Sequence, residues 1–345
     1  MKFEPKCLST GIGSLPHTDV ESACRLVVEQ FPEIPFWPQL PRLSFNETMY
    51  VQYSEKLPGL VIDNNKIYVD LFQDLNDEFE EFYMDYMANR IANFAQSREY
   101  VGGLYRFLEY GNELNGIKAI KGQITGPISF GLQVVDDRSK PIYYDGMMRD
   151  ILVKNIKMKA HWQEEQLSQI CDTTIISVDE PYLTSIGSGT VNLNPVDVQD
   201  NIQEVLNFIK GLKGMHCCGN TDWPLLMDTS IDILFLDAFS YAKNLALYPA
   251  ELQAFLDRGG MIGWGIVPTV SQDLQAENIV SLTNRFENVL TMLVERGIKF
   301  GELLHQSLIT PSCGLGTMTL EEAEKALRMT NKLSKIIRKK YELED

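Results

Sequence analysis

Two kinds of hydrophobic pattern alternate along this chain. Short runs rich in Ile, Val and Leu predict strands at residues 8–13, 34–37, 117–124, 174–178, 213–217, 231–236, 261–267 and 307–310. Longer stretches, with apolar positions three and four apart, predict helices at residues 20–30, 76–95, 144–170, 195–209, 222–227, 249–257, 275–296 and 320–339. The last of these opens on Thr319 and Glu322, the spacing of a capping box. Eight alternating βα units, with no second compositional regime, predict an α/β fold: a single (β/α)8 TIM barrel, one domain over residues 1–345, rather than an open doubly wound sheet. Two insertions interrupt the rhythm. Residues 39–72 carry a hairpin pattern around Asn64 and Asn65, and residues 135–143 form a polar connection. Loops at barrel strand ends either shape the substrate pocket or only decorate it.

Composition narrows the function. Hydrophobic residues make up 44% of the 345 and charged residues 23%, which excludes a disordered chain. Lys and Arg number 31 against 47 Asp and Glu, a formal net charge of -16, and no basic run offsets it. Nucleic acid and anionic membrane surfaces are therefore excluded as partners. The first residues lack the apolar core of a signal peptide, and no stretch reaches the roughly 18 apolar residues of a spanning helix, so a soluble, cytoplasmic protein is expected. The six cysteines, Cys7, Cys24, Cys171, Cys217, Cys218 and Cys313, are too scattered for a disulfide framework and read as reduced thiols, some holding metal.

The polar residues at strand ends supply the candidate chemistry. Ser14, Gln123, Asp179, Glu180, His216, Cys218, Asp237 and Cys313 all fall at or just past the carboxyl end of a predicted strand, the face where barrel active sites form. Strand alternation sends His216 and Cys218 to one side and Cys217 to the other, so the first two can share a metal. Taken alone, His216 and the two thiols read equally well as core residues. Cys313 shifts that balance, because Pro311 and Gly314 bracket it on a tight loop where a merely buried Cys is out of place. Two thiolates, an imidazole and a carboxylate drawn from distant segments make a zinc-type set with an open position. Asp237 ends an apolar run and reads either as the fourth ligand or as a helix cap. The adjacent acids Asp179 and Glu180 read as a functional acid or as a cap with a surface charge. The segment from Thr10 to Pro16 frees backbone N–H groups for a carboxylate or phosphate, or simply turns. His161 and His305 read as structural or exposed, while His17 lies near enough to the pocket for proton work.

In order and spacing, Ile12-Gly-Ser-Leu-Pro16, Val178-Asp-Glu-Pro181, His216-x-Cys218, Asp237 and Pro311-x-Cys-Gly-Leu315 resemble the catalytic barrel of cobalamin-independent methionine synthase. That barrel shares a superfamily with uroporphyrinogen decarboxylase and the zinc corrinoid methyltransferases. The resemblance runs from about residue 8 to residue 320. It implies a zinc-dependent S-methyltransferase in which His216, Cys218, Cys313 and Asp237 hold Zn2+ and the metal binds homocysteine sulfur. Asp237 stands where the family usually has Glu. The resemblance also implies that Ile12, Gly13 and Ser14 take the amino-acid carboxylate and Asp179 the amine. Two departures from the family matter. The full-length enzyme has an N-terminal barrel for which this chain has no room, and residues 263–268 lack the His that serves as acid on the folate nitrogen. The second departure favours methylcobalamin, carried by a corrinoid protein, over a 5-methyltetrahydrofolate-type donor. Other readings are another small-thiol acceptor and a non-catalytic metal- or corrinoid-binding barrel. A metal-free decarboxylase leaves the thiolates without a task and lacks an Arg cluster.

Overall fold

Seven of the eight predicted strand runs become strands in a computed structural model of the chain, which describes residues 3–186 and 191–344. The strands are β1 (Leu8–Ser9), β2 (Leu60–Asp63), β3 (Lys66–Val69), β4 (Ile120–Thr125), β5 (Val135–Asp136), β6 (Thr174–Asp179), β7 (Leu212–Cys217), β8 (Ile233–Leu236), β9 (Met261–Val267) and β10 (Ser307–Pro311). Among the described residues, seven form one curled sheet in the order β1-β10-β9-β8-β7-β6-β4, parallel at every pairing. Every residue of β4, β6, β8, β9 and β10 is buried. That is the pattern of strands packed on both faces, and it explains why they read as continuous apolar runs.

The closed eight-stranded barrel is corrected. Residues 34–37 form no strand; Phe36 makes an isolated parallel bridge to Lys121, and Ser14 makes another to Gln39. The Trp37 amide donates to the Lys121 carbonyl at 3.3 Å, and the Gln39 amide to the Gly13 carbonyl at 3.0 Å. Pro32, Pro35, Pro38 and Pro41 explain the broken ladder, since each removes an N–H that a regular strand would donate. The segment therefore touches both sheet edges without joining them in a continuous ladder.

Side chains from successive strands fill the inner side of the sheet. Leu8, Ile34, Ile175, Ile233, Phe235, Met261 and Leu308 form a cluster of their own, separate from the larger core beneath the helices. Phe235 is its largest member, and a Cβ on Gly263 would fall 2.1 Å from its ring. Glycine is thus required beside it, and the ring, fully buried, contributes about 2–3 kcal/mol of transfer free energy.

The helices follow the periodicity with adjusted ends. Val20–Gln30 and Pro249–Asp257 match the prediction, and Leu320–Lys340 carries the expected capping box, with Arg338, Lys339 and Lys340 in its last turn to complement the helix dipole. The run predicted at 76–95 divides into Asn76–Met87 and a 3-10 turn at Ile91–Phe94, with Asn89 at φ 51° between them. Helices Gly102–Glu109, Pro127–Gln133, Ala238–Leu245 and Phe300–His305 add to the predicted set. β2 and β3 form the expected hairpin over Asn64 and Asn65, both at positive φ, and β5 joins it as a third strand. No helix among the described residues is long and apolar enough to cross a membrane.

Candidate metal centre

The carboxyl ends of the parallel strands open into a cavity of about 670 Å³. Ile12, Ser14, Asp179, His216, Cys218 and Cys313 line it together. Asp179 is the last residue of β6, and His216 is paired with it at the end of β7, while Cys218 follows that strand directly. Cys313 lies just past β10, where Gly314 lets the loop run against Ser14; a Cβ there would sit 2.2 Å from the Ser14 Oγ.

One nitrogen of His216 and the sulfurs of Cys218 and Cys313 all lie within 4.8 Å of one another. The imidazole is buried, and neither Nδ1 nor Nε2 has a hydrogen-bond partner. A buried polar atom without a partner is costly, so an imidazole with two is a donor prepared for something else. Burial pushes the His216 value down to about 4, and the positive charge of Lys121 adds to this; the Phe235 backbone opposes it from outside hydrogen-bond geometry. The ring is therefore neutral at pH 7, the state in which it ligates metal. The contact between the thiols holds Cys218 below the ordinary thiol range, while the same contact and then burial push Cys313 well above it. The donors fit a thiophilic divalent ion such as zinc.

Asp237, expected as the fourth ligand, lies outside this three-residue group. Its Oδ1 accepts from the Ser240 amide at 2.9 Å and caps helix Ala238–Leu245. Cys217 is turned away and buried, with its Sγ 3.6 Å from the Gly219 carbonyl. Glu180 is also tied to structure. Its carboxylate accepts from the amides of Ile128 and Ser129 and from the Ser129 hydroxyl, at the start of helix Pro127–Gln133. His17 is buried but is not a lining residue of the cavity.

Asp179 accepts from the Ser177 hydroxyl at 2.9 Å. Burial holds its carboxyl above the usual carboxylate range, with Lys121 pulling the other way. Among the described residues no acceptor takes the amide N–H of Gly13 or Ser14, whereas the Ser14 carbonyl accepts from Leu315 and the Ser14 Oγ from Gly316.

Further lining residues were not singled out from the sequence. Gln39, Arg42, Glu47 and Met49 come from the insertion at residues 39–72, so that insertion does shape the cavity. Arg42 donates to the Thr317 carbonyl, and Glu47 accepts from the amides of Leu40 and Gly102. The Gln39 amide nitrogen donates to Gln52 and to the Tyr53 hydroxyl, which donates to the Gln123 carbonyl and anchors the insertion on β4. Lys121 has a signal in the sequence, as a charged residue two positions before Gln123 on the same face of an apolar strand.

No family model matches the sequence, and no curated protein matches it. The fold does have solved counterparts. One is a B12-independent methionine synthase from Shewanella sp. W3-18-1, at 13% identity and a TM-score of 0.61, covering 98% of this chain and 99% of that one. Another is a methyltransferase from Methanosarcina mazei, at 14% identity and a TM-score of 0.54, covering 92% and 86%. At such identities the likeness is one of fold.

Proposed function

We propose that this chain is a zinc-dependent enzyme that moves a methyl group onto the sulfur of a small thiol, homocysteine first among them. The observation that carries the reading is the meeting of two thiols and an imidazole without hydrogen-bond partners at the open end of a parallel sheet. The likeness to methyltransferase folds supports it at the level of architecture.

His216, Cys218 and Cys313 would hold the ion, leaving a fourth position for substrate. A zinc ion held there supplies positive charge that keeps an incoming thiol ionised, and hence nucleophilic, at neutral pH. The surrounding chain orients the rest of the molecule. The carboxylate of Asp179 receives the substrate ammonium, and the unclaimed amides at Gly13 and Ser14, with Ile12 beside them, receive its carboxylate. Three protein ligands suffice, which fits Asp237 as a cap rather than a ligand.

In the transfer, a sulfur lone pair forms the new S–CH3 bond while the donor keeps the electron pair of the bond that breaks. A tetrahydrofolate nitrogen needs a proton to leave; reduced corrinoid cobalt does not. β9 ends at Val267, just before Pro268, and residues 263–268 hold no acid, which supports a methylcorrinoid donor presented by a partner protein. Incubation of the zinc-loaded protein with homocysteine should give methionine faster from methylcobalamin than from 5-methyltetrahydrofolate. Equal rates overturn the donor assignment, and no turnover with either overturns the enzymatic reading.

A further inference from the structure

We infer that Lys121 is a positioning residue of the substrate clamp, a buried cation that fixes the Ile12 peptide from the sheet face it shares with Asp179, so that the cavity selects a thiol bearing an amino-acid head group. The inference deepens the function proposed above and rests on it.

Lys121 lies inside β4 with no exposed surface. Its Nζ donates to the Ile12 carbonyl at 2.5 Å and to Gln123 Oε1 at 3.3 Å, and it stands 5.6 Å from the centroid of the Phe235 ring. Burying an ammonium is expensive, and a position that needed only packing would be better filled by an apolar side chain. What the amine does here is hold one particular carbonyl. A trans peptide points its C=O and N–H in opposite directions, so fixing the Ile12 oxygen also fixes the direction of the Gly13 N–H. That amide and the next, at Ser14, are the two without an acceptor. Gly13 has no side chain to stiffen the loop: a Cβ there would lie 2.6 Å from Gln123 and 2.8 Å from Gln39 Oε1. An outside tether therefore does the stiffening.

Lys121 pairs with Ile175 of β6, which puts it on the sheet face that also carries Asp179, and Asp179 in turn pairs with His216 of β7. Lys121 thus joins both halves of the clamp without lining the cavity itself.

The test is Lys121→Met in the full chain, with Lys121→Met/Asp179→Asn as a second variant if the single one does not fold, read by amide exchange alone because Asp179 itself receives the ammonium. Cobalt(II) replaces zinc, so that thiol binding is read from its absorption bands. Lys121→Met should bind one equivalent of metal as wild type does, weaken L-homocysteine by about tenfold or more, and leave 1-propanethiol within about twofold. Amide exchange at residues 12–15 should quicken in the metal-free variant, a readout independent of any thiol. Equal weakening of both thiols, loss of the metal, or unchanged homocysteine affinity with unchanged exchange each overturn the inference. Absence of thiol bands in the wild type would instead overturn the proposed function, and the exchange measurement would still decide the role of Lys121.

Discussion

Cys218 and Cys313 bring their sulfurs within 4.8 Å of each other from opposite ends of a long loop-and-strand path, and the contact drives their acidities apart, Cys218 down and Cys313 up. Two thiols this close titrate as a pair, and the first proton to leave leaves more readily for the contact. Cys313→Ala removes the largest influence holding Cys218 down and leaves burial, which raises it. Ultraviolet absorbance of the thiolate, followed against pH, should show this titration move to higher pH in the variant. A titration that stays in place would mean that the two thiols do not interact.

Asp237→Asn keeps a good helix cap, because asparagine accepts from the Ser240 amide as aspartate does. Zinc affinity should then change by less than about tenfold, the lower bound for loss of a supporting group, and stability by a few tenths of a kcal/mol. Competition with a chromogenic chelator measures the first. A loss of about a hundredfold or more would restore Asp237 to the ligand set.

Cys217→Ala should leave metal stoichiometry unchanged while lowering stability by about 1 kcal/mol, the ordinary cost of a buried truncation. Urea unfolding and metal analysis of one preparation check both. Lost metal would place Cys217, not Cys218, at the centre.

Much of this site could be read from the sequence because strand alternation and strand ends are local properties. His216 and Cys218 sort together through a period of two, and the Cys313 loop is marked by its own Pro and Gly. The second predicted strand does not form because residues 34–37 have the apolar composition of a strand, while prolines three apart deny it the hydrogen bonds. The short helices Gly102–Glu109 and Pro127–Gln133 lack the length for a periodic signal, and the latter starts at a carboxylate, Glu180, that only the fold delivers. Glu47 and Arg42 were hidden for the same reason: a loop residue acquires its neighbours from the tertiary fold.

Glu47 provides a pH test. Burial pushes its carboxyl up to about 7 from 4.5, against the amides of Leu40 and Gly102. The unfolded chain therefore loses this proton at lower pH than the folded one does. Between about pH 4.5 and 7 the folded state holds more protons, so this group's contribution to stability falls as pH rises through that window and is level outside it. The slope is at most about 1.4 kcal/mol per pH unit. Urea midpoints of the metal-free protein should show a steeper decline from pH 5 to 7 in wild type than in Glu47→Gln. Parallel curves would mean that Glu47 is ionised on folding.

The most direct measurement is the metal content of the purified protein, wild type against Cys313→Ser, by elemental analysis after exhaustive dialysis. The account expects about one zinc per chain in the wild type and little or none in the variant. No zinc in the wild type, or the same amount in both, would contradict it.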